Sequence, residues 1–190
     1  MLPLMPSKLN DQDLMLHYRD GDALAFEELY GRHKGPVYRY LLRQCGNPAN
    51  AEEIFQEVWI KVIRGRDKYR PLAKFSTWLY QIAHNCFIDF VRRQDRNALN
   101  AASNTEPDEL LTETGNPERV AALSQTGQKL AGAIAALPQE QREAFLLRVE
   151  GGFGLEEIAS ITDTGRETVK SRLRYATRKL RETLEDNCHE

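Results

Sequence analysis

The sequence has few cysteines, no long apolar run and almost no alternation of apolar and polar residues. Its three cysteines, Cys45, Cys86 and Cys188, are odd in number and are not spaced like metal ligands. This argues against a disulfide framework and favours reduced thiols in a cytosol. No apolar stretch approaches the length of a bilayer span, and the first residues, MLPLMPSK, lack the apolar core of a signal peptide. We therefore expect a cytoplasmic protein without direct membrane insertion.

Signatures of catalysis are also missing. The chain has no glycine-rich phosphate loop and no paired catalytic carboxylates. An enzymatic alternative would use His84, Asp89 and Glu57 as acid and base groups, or His84 with Cys86 as metal ligands. Neither group has the spacing of a known motif. We expect no enzymatic activity, no cofactor and no bound metal.

Charge is nearly balanced over the 190 residues but uneven along the chain. The formal net charge is −2, so any binding of nucleic acid has to come from local basic patches. Cations concentrate between residues 61 and 74 and again between residues 166 and 181. Between residues 97 and 128 the sequence is rich in acidic residues, Asn, Ser, Thr, Pro and Gly, which is typical of a linker.

Apolar residues recur at helical spacing from Asp13 onward, which predicts an all-α fold. One helix restarts at Pro48 and has apolar positions up to Ile63, and another runs from about Thr77 to Arg93. After the acidic segment, Leu137-Pro138 opens a helix that extends to Val149, where two glycines close it. We expect two small helical domains, residues 1–97 and 129–190, joined by a flexible acidic linker at residues 98–128.

The segment from Leu155 to Leu180 has the pattern of a helix-turn-helix. Two short apolar faces fit packed amphipathic helices, and Thr164 to Glu167 has the S/T-x-x-E form of a capping box at the start of the second helix. That helix is rich in cations, which suits phosphates and the base edges of a major groove. The ordinary alternative is a basic surface helix that is only solvated, but the turn and the cap favour a DNA-binding helix. The cations are Arg166, Lys170, Arg172, Arg174, Arg178, Lys179 and Arg181.

Five sequence blocks follow one another on the two sides of the acidic segment. They are NAEEIFQEVW at 50–59, FSTWLYQIAHN at 75–85 with Asp89 and Arg92-Arg93, ALP at 136–138 with Arg142, EIA at 157–159 and TVKSR at 168–172. In this order and spacing they resemble bacterial extracytoplasmic-function (group IV) sigma factors over nearly the whole chain. The resemblance implies sigma region 2 at the N-terminal end and sigma region 4 at the C-terminal end. It also implies that the protein has no catalytic activity of its own.

The first block implies a docking surface for core RNA polymerase. In the family this block binds the coiled coil of the beta-prime subunit, and the positions carried over are Glu52, Glu53, Gln56, Glu57 and Trp59. The ordinary alternative is the polar face of an amphipathic helix. An exposed Trp59 beside these polar residues would favour an interface, because a large aromatic side chain rarely stays in water without a partner.

Residues 66–85 match the part of the family that opens and holds the minus-ten promoter element. Cations can follow a phosphate backbone and aromatic rings can stack on unpaired bases, which agrees with this placement. Trp78 fits a core position equally well, and cations at a helix end can also compensate the helix dipole. The expected minus-ten residues are Arg66, Lys68, Tyr69, Arg70, Lys74, Phe75, Trp78, Asn85, Arg92 and Arg93.

Region 4 is expected to read the minus-thirty-five element in the major groove. The residues that the resemblance assigns to it are Arg166, Thr168, Lys170, Ser171, Arg172, Arg174 and Arg178. The chain departs from the family pattern at three places: Glu167 replaces a common glycine, Tyr175-Ala176-Thr177 replaces a basic R-A-R, and Gly154 replaces a Ser or Thr cap. We expect the last change to give the first helix of the motif a weaker start.

The expected partners are core RNA polymerase, through its beta-prime coiled coil and beta flap, promoter DNA and an anti-sigma factor. The alternative function is a stand-alone helix-turn-helix transcriptional regulator. That alternative would leave the blocks at 50–59 and 75–93 unexplained. Binding to core polymerase distinguishes the two, because a regulator acts only on the holoenzyme.

Overall fold

The computed structural model describes residues 9–102 and 125–186 and shows an all-α protein, so the predicted fold class is confirmed. These residues contain no strand, and the first four helices form an N-terminal unit and the last four a C-terminal unit. The elements are α1 (Asp11–Arg19), α2 (Ala23–Cys45), α3 (Pro48–Gly65), a 3-10 helix (Arg66–Lys68), α4 (Phe75–Ala102), α5 (Gln125–Ala135), α6 (Gln139–Val149), α7 (Leu155–Ile161) and α8 (Arg166–Asp186).

Short polar side chains start the first three helices. Asn10, Asp22 and Asn47 each accept a hydrogen bond from a backbone N–H in the first turn of α1, α2 and α3. Pro48 occupies the first turn of α3, as predicted, where its missing N–H costs no hydrogen bond. Gly46 ends α2 with a φ of 67°, a left-handed conformation that favours glycine.

The N-terminal unit packs α1 to α4 around one apolar core, to which each helix contributes fully buried side chains. Examples are Leu14 on α1, Leu29 on α2, Val58 on α3 and Leu79 on α4. These positions follow the helical spacing of the sequence, and their burial supplies the apolar area that stabilises the unit.

The C-terminal unit wraps α5, α6 and α7 around α8. Leu147, Ile158 and Val169 are buried between these helices. At the end of α6 two glycines let the chain turn, because a Cβ at Gly151 would overlap the ring of Phe153, and Gly152 has a φ of 66°. The predicted helix after Pro138 and its glycine end are confirmed.

The two units pack directly against each other. The Tyr80 and Phe153 rings have centroids 5.0 Å apart. Glu143 on α6 is 3% exposed, and it accepts a hydrogen bond of 3.0 Å from the hydroxyl of Tyr40 on α2. Its carboxylate also lies 2.5 Å from Nδ1 of His84 on α4. Side chains of both units therefore close one buried interface.

Two helix boundaries differ from the sequence prediction. α4 continues to Ala102, past the predicted end at Arg93, and α5 begins at Gln125, before the predicted domain start at residue 129. The segment NALNAA at 97–102 includes alanine and leucine, which are strong helix formers, so its polar composition does not end the helix. Residues 103–124 of the predicted linker lie outside the described residues.

Two local predictions are wrong. The carbonyl of Gly165 accepts from the N–H of Val169 at 3.1 Å, so α8 begins after Gly165 and Thr164 is not its cap. The hydroxyl of Thr164 instead lies 2.9 Å from that of Thr162. Ile63, predicted on the buried face of α3, is 42% exposed.

No helix within the described residues is both long enough and apolar enough to cross a membrane. The same residues contain no group of three His, Cys, Asp or Glu that could hold a metal ion. The nitrogen Nδ1 of His84 faces Glu143, and Cys86 is fully buried. Cys188 lies outside the described residues.

Candidate nucleic-acid interface

α7 and α8 form the predicted helix-turn-helix. The turn between them is fixed by the Thr162 hydroxyl, which donates to the carbonyl of Ile158 at 2.8 Å. Asp163 has a φ of 49°, a left-handed conformation that aspartate tolerates better than most residues. With Ile158 and Val169 both fully buried, the two helices keep a fixed relation to each other.

A carboxylate fixes the first turn of α7. Glu157 accepts a hydrogen bond of 2.9 Å from the backbone N–H of Gly154, and it also lies 3.0 Å from Nζ of Lys74 in the N-terminal unit. The Gly154 hydrogen bond and the Lys74 ammonium hold the pKa of Glu157 below its usual value. Although Gly154 has no side chain to cap the helix, the carboxylate half of a capping box is present. The predicted weak start of α7 is therefore wrong.

α8 buries one face and exposes a cationic face. Ala176 and Leu180 follow Val169 at helical spacing on the buried side. Five of the predicted minus-thirty-five residues are exposed and therefore available to a DNA groove, and two further cations extend this face. We call it the α8 cationic face; it consists of Arg166, Thr168, Lys170, Arg174 and Arg178, with Lys179 and Arg181.

The two remaining predicted residues, Ser171 and Arg172, are half-buried. The Arg172 side chain is only 18% exposed, and its Nη2 lies 3.0 Å from the carboxylate of Glu140 on α6. The prediction that Arg172 reads bases does not fit this position, because its guanidinium joins α8 to α6 instead of standing with the exposed cations.

Glu167 neutralises part of the α8 cationic face. Its carboxylate lies 3.0 Å from Nη1 of Arg166 and 3.8 Å from Nζ of Lys170. Arg166 also pairs with Glu156 of α7 at 2.8 Å. Both carboxylates are about three-quarters exposed, at 77% and 75%, so these ion pairs are weak and can be replaced by phosphate contacts.

Tyr175, where the family pattern has a cation, holds two arginines. The guanidinium carbons of Arg174 and Arg178 each lie 5.1 Å from the centroid of its ring. An Nη2 of Arg174 also donates to the Tyr175 hydroxyl at 3.4 Å. Cation–π attraction restrains both side chains next to the surface that would meet DNA. From the sequence, Tyr175 is only a lost charge, because its contacts with the neighbouring arginines depend on the folded helix.

The N-terminal unit exposes a second cationic surface around the loop at residues 69–74. Its centre is Leu72, which is 93% exposed and was not predicted as a functional residue. The only signal for it in the sequence is an isolated leucine between two cations, outside any helical repeat. We call this surface the loop cationic surface, and its cations are the predicted minus-ten residues Arg66, Lys68, Arg70 and Lys74.

The aromatic residues predicted to stack on bases beside this loop are mostly in the core. Tyr69 is 2% and Phe75 is 1% exposed, so the prediction that their rings are open to bases is wrong. Trp78 is half-buried, with its ring centroid 5.0 Å from Tyr69 and 5.8 Å from Phe75. The three rings pack against one another and bury each other's apolar faces. This cluster lies beside the loop and anchors both of its ends.

The outer face of α4 carries the other predicted minus-ten residues. Asn85, Arg92 and Arg93 are all exposed. Arg93 is directed toward α3, where its Nη2 lies 3.0 Å from Glu57 and 4.0 Å from Glu53. Arg92 and Asn85 are free of such ion pairs within the described residues.

α3 presents a mixed apolar and polar face to solvent. Of the predicted polymerase-binding residues, Glu52, Glu53 and Gln56 are exposed, while Glu57 is half-buried beside Arg93. The exposed aliphatic side chains Ile60 and Ile63, at 47% and 42%, continue this face and were not predicted as functional residues. We call it the α3 outer face; it consists of Glu52, Glu53, Gln56, Ile60 and Ile63.

Trp59 does not belong to the α3 outer face. It is 5% exposed, and its ring centroid lies 4.8 Å from Tyr30 and 5.9 Å from Phe26. The expectation of an exposed Trp59 is wrong, because the four-residue step from Phe55 places it on the inner side of α3.

Residues 29–97 match the family model of Sigma-70 region 2, and residues 127–180 match the family model of Sigma-70, region 4. The chain is 33% identical to the ECF RNA polymerase sigma-E factor of Escherichia coli (strain K12) over 175 residues, which cover 89% of this chain and 91% of that protein. This chain belongs to the extracytoplasmic-function (ECF) sigma factors. A sigma factor is a DNA-recognition subunit of RNA polymerase and is not an enzyme.

A second relative of this sigma factor is longer. ECF RNA polymerase sigma factor SigE of Mycolicibacterium smegmatis (strain ATCC 700084 / mc(2)155) is 35% identical over 173 residues, which cover 90% of this chain. The chain spans 66% of the length of that relative.

Two solved structures share the fold of this sigma factor. The sigma factor RpoE in complex with the anti-sigma factor NepR, from Bartonella quintana, matches with a TM-score of 0.69 at 22% identity, over 84% of this chain and 96% of that one. CnrH in complex with the cytosolic domain of CnrY matches with a TM-score of 0.69 at 20% identity, over 93% and 97% of the two chains. At these identities the likeness shows the fold alone.

Proposed function

We propose that this sigma factor binds core RNA polymerase and directs transcription initiation at promoters with a minus-thirty-five and a minus-ten element. The observation that carries this proposal is the α3 outer face. Two large aliphatic side chains, Ile60 and Ile63, stand in water beside acidic and amide groups, which fits a protein partner and would repel DNA phosphates. A stand-alone DNA-binding regulator has no need of such a face.

The DNA surfaces divide between the two units. The α8 cationic face would lie in the major groove of the minus-thirty-five element, with Arg166, Lys170 and Arg174 nearest to base edges because they belong to the first turns of α8. The loop cationic surface would hold the opened minus-ten strand by its phosphates. Exposed Leu72 offers an apolar contact to an unpaired base in place of Tyr69 and Phe75.

We also propose an anti-sigma factor as a partner and the cytoplasm as the location. The RpoE structure with the same fold is a complex with an anti-sigma factor. An inhibitor that covered the α3 outer face would compete with polymerase for the same exposed isoleucines. Promoter DNA and polymerase place the working protein in the cytoplasm, where Cys45 and Cys86, both free thiols, remain reduced.

Run-off transcription with purified core polymerase on a library of promoter fragments tests the function. We expect transcripts from a subset of fragments that share two spaced elements. Changing Ile60 and Ile63 together to serine should abolish core binding and transcription. Leu24→Ser is the matched control, because Leu24 is also an exposed large aliphatic residue, at 61%, but lies on α2. A chain that binds promoter fragments alone and acts only on complete holoenzyme would be a regulator and not a sigma factor.

A further inference from the structure

The first turn of α8 carries a carboxylate on the side that points away from the core. Glu167 comes two residues before the buried Val169, which places it about 160° around the helix from Val169 at about 100° per residue. Arg174 and Arg178 follow Glu167 at helical spacing, so the three exposed side chains lie in one row. If this end of α8 enters a major groove, Glu167 meets the base edges together with the arginines.

A guanidinium is held against this carboxylate. Nη1 of Arg166 donates to the carboxylate of Glu167 at 3.0 Å. Nε of the same arginine lies 2.8 Å from the carboxylate of Glu156 on α7, which restrains Arg166 from its other side. The start of α8 therefore presents a hydrogen-bond acceptor and a hydrogen-bond donor side by side.

A carboxylate in a major groove is unfavourable unless it receives a hydrogen bond. The groove offers only two kinds of donor, the N4 amino group of cytosine and the N6 amino group of adenine. The other polar atoms at the base edges are acceptors, and they repel a carboxylate as the phosphates do. Glu167 can therefore discriminate against wrong sequences by repulsion as well as select a sequence by attraction.

The pair formed by Glu167 and Arg166 is complementary to one C·G base pair. The N4 donor of cytosine and the O6 acceptor of guanine share a Watson–Crick hydrogen bond, so these atoms are about 2.9 Å apart. This separation is close to the 3.0 Å between Nη1 of Arg166 and the carboxylate of Glu167. The second hydrogen of N4 can donate to Glu167 while Arg166 donates to the second lone pair of O6. All four groups then have partners.

An A·T base pair also places a donor beside an acceptor, N6 of adenine and O4 of thymine, but it fits less well. Adenine N7 is an acceptor next to N6 and repels the carboxylate, and the thymine methyl group stands beside O4. In a C·G pair the neighbour of N4 carries no acceptor, and guanine N7 gives the guanidinium of Arg166 a second acceptor beside O6. We expect the order of preference C·G, then A·T, then G·C and T·A.

We propose that Glu167 is a specificity-determining residue that, together with Arg166, selects a cytosine opposite guanine at one position of the minus-thirty-five element. The inference rests on the proposed function. Reversing the base pair to G·C would place the carboxylate against acceptors and the guanidinium against a donor. Glu167 therefore determines which strand carries the cytosine, in addition to lowering the charge of the α8 cationic face.

The test uses holoenzyme assembled from core polymerase and the full chain, on a promoter found in the fragment library. Each position of the minus-thirty-five element is changed to all four base pairs, and run-off transcription at limiting holoenzyme measures the preference. At one position the parent chain should prefer C·G over G·C by about tenfold. Glu167→Ala should reduce this preference to about twofold or less and leave the other positions unchanged. Glu167→Gln should shift the preference toward A·T, because glutamine pairs with N6 and N7 of adenine.

Glu156→Gln is the matched control for a general effect of charge. Glu156 is as exposed as Glu167, at 77% and 75%, and it contacts the same arginine, but it lies on α7. Its replacement should change transcription from all promoter variants by the same factor and keep the preference for C·G.

A cytosine analogue in which hydrogen replaces the N4 amino group tests the contact itself. Placed opposite guanine at the selected position, it should reduce binding of the promoter fragment by holoenzyme at least about fivefold more for the parent chain than for Glu167→Ala. The weaker base pairing of the analogue affects both proteins alike, so the ratio between them isolates the contact with Glu167.

The proposal is overturned if no position of the element prefers C·G with the parent chain. It is also overturned if Glu167→Ala changes transcription from every variant by one factor, because Glu167 would then act only through its charge. Equal losses with the analogue for parent chain and Glu167→Ala would overturn it as well. Failure of the sigma function itself looks different: holoenzyme with the parent chain would then transcribe from no promoter.

Discussion

The guanidinium of Arg93 lies 3.0 Å from the carboxylate of Glu57, so a predicted DNA contact and a predicted polymerase contact neutralise each other in the free chain. Lys61 shares the same carboxylate at 3.2 Å. A phosphate bound by Arg93 would compete with Glu57 for the guanidinium, and a polymerase group bound by Glu57 would compete with Arg93 for the carboxylate. Both predicted binding events would therefore compete with one internal ion pair.

Glu57→Gln should release Arg93 for DNA. We expect it to strengthen binding of a single-stranded minus-ten oligonucleotide by about two- to fivefold, the range for removing a competing exposed ion pair. Arg93→Ala should weaken the same binding and make it less sensitive to salt. Fluorescence anisotropy at several salt concentrations measures both. Equal affinities for Glu57→Gln and the parent chain would show that Arg93 does not contact the strand.

Trp59→Ala and Ile60→Ala should separate stability from binding, although the two residues are neighbours in sequence. Loss of the buried Trp59 ring should lower the free energy of unfolding by about 3–5 kcal/mol. Ile60 is half-exposed, so its truncation should leave stability almost unchanged and reduce affinity for core polymerase. Urea unfolding and a polymerase binding titration on both variants decide this. Normal polymerase binding by Ile60→Ala would remove Ile60 from the interface.

On α8, Lys170→Ala should affect DNA binding and Arg172→Ala should affect stability. Exposed Lys170 is expected to contact the DNA, and its removal should reduce the salt dependence of minus-thirty-five binding by about one ion. Arg172 pairs with Glu140, so its removal should cost about 1 kcal/mol or less of stability and leave the salt dependence intact. Should Arg172→Ala instead change discrimination between promoter variants, Arg172 would be a base-reading residue after all.

Tyr175→Leu should weaken minus-thirty-five binding although the phenol ring itself need not touch DNA. The variant removes two cation–π contacts of about 0.5–1 kcal/mol each, so Arg174 and Arg178 become less ordered, and we expect about a two- to tenfold loss of affinity. Tyr175→Phe keeps the ring and should bind almost like the parent chain. A large loss in Tyr175→Phe would assign the role to the hydroxyl group.

Glu157→Gln should reduce stability at neutral pH and much less in acid. Because folding lowers the pKa of Glu157 below its ordinary value of 4.5, the unfolded chain takes up the proton first as the pH falls. The stabilisation is fully present above about pH 4.5 and is lost as the pH falls through the lower pKa of the folded state. Urea midpoints at pH 7 and pH 3, with Glu185→Gln as control, should show the difference between variant and parent chain shrinking in acid.

The helices themselves were predictable because their signals are local. Pro48 and Pro138 start helices where the chain needs no N–H, and apolar spacing identifies the core faces of α3 and α8. The same spacing does not predict which side chains at the edge of an apolar stripe are buried. Ile63 looks like a core residue in the sequence, and only the packing of the other helices shows that its side of α3 remains in water.

Contacts between residues that are far apart along the chain could not be predicted from the sequence. The residues of the Tyr40–Glu143 pair are 103 positions apart, and no local pattern relates them. Tyr69 and Phe75 were expected to face bases because their neighbours are cationic, but burial of an aromatic ring depends on the whole unit. The exposed cations of α8 were correctly recognised as one face, except for Arg172, whose partner Glu140 lies on another helix.

If α4 lies along promoter DNA, as predicted for its outer face, its length sets a fixed scale along that DNA. Trp78, Asn85 and Arg92 are spaced seven residues apart, so they lie in a row along one side of the helix at intervals of about 10 Å, or about three base pairs. A rigid rod of 28 residues cannot lengthen or shorten to follow a changed spacing. We therefore expect promoters to tolerate altered bases within the stretch bound by α4 more readily than an inserted or deleted base pair.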